Sequence, residues 1–137
     1  MIDYFPFAIF TFITLFHIYL GFNGPINLDF ILPKINGQRM AYHPLASFPV
    51  ALLLFLSTIS FGYCVQIIPF SPLGIYNTLW LQLTGAALIF RGLFGLIFFH
   101  WFRLIIDDTQ FKTWDLRIYS PLTIYLGVSS FIALMFH

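Results

Sequence analysis

Four long apolar runs, separated by connections rich in helix breakers, leave this sequence little choice of fold. They cover roughly residues 4–22, 46–68, 75–103 and 121–136. A membrane-spanning helix needs about 20 residues, within a range of about 17 to 25. The first two runs fit directly and the fourth is short. The third is long enough to tilt or to project its end into water, where His100-Trp101-Phe102-Arg103 forms an aromatic and basic interfacial anchor. The expected fold is therefore all-α, an integral membrane four-helix bundle with antiparallel up-down topology. Residues 1–137 are expected to form a single transmembrane domain.

Composition closes off the alternatives. Only 8% of residues are charged, against about 25% in soluble domains. With 60% hydrophobic residues, 19 Phe and a mean hydropathy of +0.90, too little polar surface exists to cover a globular core. A net charge of +1 without a basic stripe argues against nucleic acid as a partner. Cys64, the only cysteine, lies within an apolar run, which excludes an internal disulfide, a CxxC metal site and covalent haem attachment; it reads as a small apolar filler. The N-terminus has neither the positive segment nor the small-residue cleavage site of a signal peptide, so the first run is expected to be retained.

The connections carry the turn chemistry. Between Asn23 and Pro44, the residues Gly24-Pro25, Pro33, Asn36-Gly37 and His43-Pro44 forbid a long helix, leaving room for a short interfacial turn around Leu28 to Leu32. Pro69-Phe70-Ser71-Pro72-Leu73-Gly74 reads as a tight turn, and Ser120-Pro121 as an N-cap with proline at the first helical position of the fourth helix. Lys34 and Arg39 lie in the first connection and Arg103, Lys112 and Arg117 in the third, while the termini and the second connection have no lysine or arginine. The positive-inside bias then places both long connections in the cytoplasm and both termini on the other side.

Arg91 is the most informative single residue, because it falls near the centre of the third run, too deep for easy snorkelling. A charge at that depth costs about 2.5 to 3.5 kcal/mol on insertion scales and needs a partner or a wet cavity. The chain has no glutamate, and all five aspartates (Asp3, Asp29, Asp107, Asp108 and Asp115) lie outside the expected apolar cores. The partners left to Arg91 are hydroxyls, backbone carbonyls, water, a loop aspartate folded inward or an anionic ligand. Thr84, Ala87, Arg91 and Gly95 recur at helical spacing and mark a narrow inward stripe along which another helix can approach.

His17 shares a stripe of the first helix with Phe10, Thr14 and Gly21. An intramembrane histidine serves either as an interhelical hydrogen-bonding group or as a proton relay or ligand. His100 sits at a similar depth on the third helix, but its position about 180° around from Arg91 turns it away from the inward stripe and weakens bis-histidine haem ligation. His43 and His137 receive no role. Ser57, Ser60 and Cys64 share a face of the second helix, and Tyr125, Ser129 and Ala133 a face of the fourth, as interhelical packing groups. No acid completes a triad near His17, and phosphate loops, HExxH and paired carboxylates are absent from the sequence.

Arg91-Gly92, the run from Phe111 through Trp114-Asp115-Leu116-Arg117-Ile118-Tyr119-Ser120-Pro121 to Leu122, and Leu126-Gly127 resemble the signature of a bacterial family of small membrane proteins known only as a domain of unknown function, number three-nine-nine-five. His17-Ile18-Tyr19 with Gly21 and Gly24 is similar to that family's His-x-Tyr element, and Pro33, Gly37 and Pro44 resemble its first connection. The family often has tryptophan where this chain has Leu20. It often has an acid one turn after the arginine, where this chain has Gly95. The resemblance implies the fold and the membrane location, and no activity.

The candidate site is a polar pocket toward the cytoplasmic half, formed by His17, Tyr19 and Arg91, with Asp115, Arg117 and Tyr119 closing its mouth. Two functions are compatible with it. The first is a non-enzymatic accessory or structural membrane protein, with a membrane protein or a second copy as partner, whose polar residues specify packing. The second is a binding or transport protein in which Arg91 and His17 hold an anionic lipid headgroup, a quinone or haem. No catalytic or metal-ligating set is expected, and the lipid bilayer is the one partner that composition requires.

Overall fold

Gly24 shows how this sequence ends a helix. The first helix, α1 (Tyr4–Asn23), stops where Gly24 takes φ +68° and returns its N–H to the Leu20 carbonyl at 2.9 Å, a left-handed conformation that only glycine adopts without a steric cost. The computed structural model describes residues 4–24, 32, 34–35, 38–39, 43–102 and 109–135. Four of its helical segments are long and apolar enough to cross a membrane.

In the first connection, β1 (Lys34–Ile35) pairs antiparallel with β2 (Gln38–Arg39), Lys34 opposite Arg39 and Ile35 opposite Gln38. This short ladder is absent from the sequence-based expectation, and the interfacial turn expected around Leu28 to Leu32 falls almost wholly outside the described residues. A 3-10 turn at Pro44–Ala46 leads into α2 (Ser47–Cys64).

α2 ends four residues before the expected residue 68. The cause is a Schellman motif: Gln66 adopts φ +61°, its N–H bonds to the Tyr63 carbonyl at 3.0 Å, and the Ile67 N–H bonds to the Gly62 carbonyl at 2.8 Å. Ile68 then folds back over Gly62, where an added Cβ would lie 2.9 Å from its Cδ1. The apolar run continues through the reversal, so hydropathy alone overestimates the helix. A second 3-10 turn (Gly74–Tyr76) opens α3 (Asn77–Phe102), close to the expected start.

The fourth span departs most from expectation. It starts at α4 (Thr109–Trp114), passes through a π-helical turn at Asp115–Tyr119 and continues as α5 (Ser120–Met135). Its apolar membrane-crossing segment is Gln110–Met135, not residues 121–136. Ser120-Pro121 therefore lies inside a continuous helix instead of starting one. A proline in a helix interior removes a donor and crowds the carbonyl four residues back. The π turn accommodates it: Ser120 sends its N–H to the Asp115 carbonyl, five residues back.

The spans pack as two antiparallel hairpins. α1 meets α2 through Phe10 and Phe61, with ring centroids 5.7 Å apart, through the 3.2 Å hydroxyl contact between Thr14 and Thr58, and where Phe48 covers Gly21. α3 meets α5 backbone to backbone. A Cβ on Gly127 would sit 2.6 Å from the Gly85 carbonyl oxygen, and one on Gly92 would sit 2.7 Å from that of Ser120. α2 joins the hairpins by hydroxyl contacts: Ser57 Oγ lies 3.0 Å from Thr84 Oγ1 and accepts from Trp80 Nε1 at 3.2 Å. The common core gathers Phe10, Phe61, Cys64, Leu81, Leu126 and Ala133.

The hairpins are skewed. In a squared-off bundle the first turn of α1 would face the last turn of α5. Phe5 instead rests on Tyr125, ring centroids 6.0 Å apart, and shares a groove with Arg117, so α1 begins against the middle of the fourth span. The Ser57, Ser60 and Cys64 face of α2 is buried as expected. Of the stripe expected on α5, Ser129 and Ala133 are buried while Tyr125 turns out toward Phe5.

Candidate functional site

The glycines of α3 decide where its arginine goes. Gly85, Gly92 and Gly95 form the buried stripe against the fourth span, whereas Ala87 is exposed. The inward stripe expected at Thr84, Ala87, Arg91 and Gly95 is thus corrected in phase: Gly95 and, partly, Thr84 face inward, and Arg91 lies at the edge. The reason is close approach, since the α3–α5 contact is made backbone to backbone and admits nothing larger than glycine at its centre. From that edge the guanidinium curls over Gly95.

There it finds an acid. Arg91 Nη2 donates to Asp115 Oδ1 at 2.5 Å, and Ser120 Oγ donates to Asp115 Oδ2 at 3.1 Å. Asp115 is 1% exposed, while the Arg91 side chain keeps 46% of its surface open. The expectation that no aspartate lies within an apolar span is overturned: the fourth span begins earlier than expected and carries Asp115 inside it. Gly95 makes the space. A Cβ there would lie 2.8 Å from Asp115 Oδ2, 2.8 Å from Arg91 Nη1 and in collision with Ser120 Oγ. The glycine one turn after Arg91 therefore admits an acid from another helix.

The π turn brings these groups to one side. Five residues advance about 500° around an α-helix, which would set Asp115 and Ser120 about 140° apart. Widening the turn returns both to the buried face toward α3, where their side chains bond.

The other expected site residues separate. Tyr119 sits half-buried beside Phe111, ring centroids 6.5 Å apart. Arg117 turns to the opposite side of the same helix and lines an open groove with Phe5, Ile118, Pro121, Leu122 and Tyr125. His17 lies half-buried on α1 and uses Nδ1 to donate to the Ile13 carbonyl at 2.9 Å; Phe16 meets the ring edge-on at 6.3 Å. Tyr19 is 51% exposed. No bond or ring contact among the described residues links His17 or Tyr19 to Arg91 or Asp115. The side chain of His100, whose direction was expected from spacing, lies outside the described residues.

Gly95 and Ser120 are thus members of the site that sequence reasoning did not assign. A partial signal was present: an arginine without an acid in its own span and an acid in the Asp-x-Arg-x-Tyr-Ser-Pro run are complementary facts, although only the early start of the fourth helix joins them.

These features define a small multi-pass helical membrane protein with an ion pair between its third and fourth spans. The chain belongs to the family described as "Protein of unknown function (DUF3995)", whose model matches residues 10–130. Comparison with curated proteins and comparison with solved structures each gave no match.

Proposed function

We propose that this chain is a non-enzymatic accessory or structural membrane protein, whose polar residues specify how its spans pack and whose outer faces meet a membrane protein partner or a second copy. The Arg91–Asp115 pair carries this reading. An arginine held to bind an anion keeps its guanidinium available, whereas here one edge is taken by a fully buried carboxylate that Ser120 also holds. Removing Arg91 would leave the buried Asp115 carboxylate without its counter-charge, so the pair ties α3 to the fourth span in one register.

The setting proposed is a bacterial cytoplasmic membrane, with the connections that carry Lys34, Arg39 and Arg103, and the end of the fourth span that carries Lys112, on the cytoplasmic side and both termini outside. The rival reading, an anionic lipid headgroup, quinone or haem held by Arg91 and His17, has less support. Arg91 is already engaged, and no contact among the described residues brings His17 to it.

The test is purification in mild detergent, followed by native mass spectrometry and an ultraviolet-visible spectrum. Co-migration with a larger membrane complex is expected. A stable monomer that retains a small molecule or shows a Soret band would overturn the proposal.

A further inference from the structure

Arg91 and Arg117 are both arginines of membrane-crossing helices, yet only one of them is neutralised. Arg91 has Asp115. Arg117, two residues further along, points away from that carboxylate and has no hydrogen-bond or ion-pair partner among the described residues. It lies about 10 Å from the start of the crossing segment at Gln110, at about 1.5 Å per residue. At that depth, at the edge of the hydrocarbon, an exposed guanidinium extends to the headgroup level, where a phosphate is the anion within its reach.

Its surroundings are specific. Arg117 lines a shallow, open groove of about 340 Å³ together with Phe5, Ile118, Pro121, Leu122 and Tyr125, so a single cation stands among otherwise uncharged, largely apolar walls. One further feature lies beside it. Ser120 gives its N–H to Asp115, and Pro121 has none, so the Leu116 carbonyl lacks both the four-residue and the five-residue helical donor. A backbone acceptor is therefore left open facing Pro121, one residue from the arginine.

We infer that this groove is a binding site for an anionic glycerophospholipid. The guanidinium takes the phosphate, with the planar two-pronged geometry that suits it, and an acyl chain lies along Ile118, Leu122, Tyr125 and Phe5. A headgroup hydroxyl satisfies the Leu116 carbonyl. This site lies on a different face of the fourth span from the Arg91–Asp115 pair and does not depend on the accessory role.

The test is native mass spectrometry of the full chain with added phosphatidylglycerol or phosphatidylcholine of identical acyl chains. The wild type is expected to retain phosphatidylglycerol roughly tenfold more than phosphatidylcholine. Arg117→Gln is expected to erase that preference. Leu122→Trp, which leaves every charge in place, is expected to reduce retention by filling the groove. Equal retention of the two lipids by the wild type, a comparison that needs no variant, would overturn the proposal, as would an unchanged preference in Arg117→Gln. A lipid-independent dimer that is lost in Arg117→Gln would assign the groove to a second copy instead.

Discussion

Gly95 and Asp115 share one space: a Cβ on the glycine would lie 2.8 Å from the carboxylate oxygen Oδ2, so the absence of a side chain on α3 is what admits the acid from the fourth span. The carboxylate fills it, 1% exposed, between Arg91 and Ser120.

Gly95→Ala therefore acts as overpacking at a charged contact. The methyl group must displace Ser120, Asp115 or the guanidinium, and such insertions cost about 1 to 3 kcal/mol even in apolar cores. The variant is expected to unfold in detergent titration with a loss of about 2 kcal/mol. The control Ala87→Gly, on the exposed face of the same helix, is expected to lose no more than about 1 kcal/mol from helix propensity. Equal losses at the two positions would contradict the geometry.

Gln66 is the one non-glycine residue with positive φ among the described residues, at +61°, where the Schellman motif ends α2. The left-handed conformation costs an ordinary residue roughly 1 kcal/mol relative to glycine. Gln66→Gly is expected to raise the unfolding midpoint, with a gain of under about 1 kcal/mol after the added entropy of the unfolded glycine. A lowered midpoint would show that the Gln66 side chain holds the turn by contacts of its own.

Ser60 Oγ and Asn77 Oδ1 are buried at the α2–α3 contact without a hydrogen-bond partner among the described residues, although Asn77 Nδ2 reaches toward the Ser60 carbonyl and Cys64 Sγ, each at 3.5 Å. An unsatisfied buried hydroxyl costs about 1 to 3 kcal/mol. Ser60→Ala is accordingly expected to be neutral or stabilising, despite removing a fully buried polar group. A loss of more than about 1 kcal/mol would reveal a bond to that hydroxyl.

Much of the architecture was legible because hydropathy and depth are strong signals. The four spans, the polar face of α2 and the need of Arg91 for a partner all follow from them. The fourth helix was misread for a definite reason. The segment from Thr109 to Tyr119 carries Lys112, Asp115 and Arg117, which dilute its hydropathy, and Ser120-Pro121 has the chemistry of a helix start. Only the π turn allows the helix to run through that proline, and a π turn leaves no periodic mark in the sequence. Asp115 consequently looked like a loop charge.

The phase of α3 was misjudged by a related argument. Taking Arg91 as the centre of the inward face shifted the stripe from Gly85 and Gly92 onto Ala87, whereas the long side chain of arginine reaches inward from the edge. The association of His17 and Tyr19 with Arg91 assumed level, upright spans. The contact of Phe5 with Tyr125 shows that the first hairpin is skewed against the second, a tertiary property with no local signature.

The measurement that tests the account most directly is a double-mutant cycle on Arg91 and Asp115, using Arg91→Leu, Asp115→Leu and the pair, with unfolding free energies in detergent micelles. Arg91→Leu strands the buried Asp115 carboxylate and is expected to lose about 3 kcal/mol, Asp115→Leu leaves a half-open guanidinium and is expected to lose less, and the double variant, apolar at both positions, is expected to recover most of the larger loss. A coupling energy of at least about 2 kcal/mol between the two sites is the predicted result. Single losses that simply add in the double variant would show that Asp115 does not neutralise Arg91, and would contradict the account at its centre.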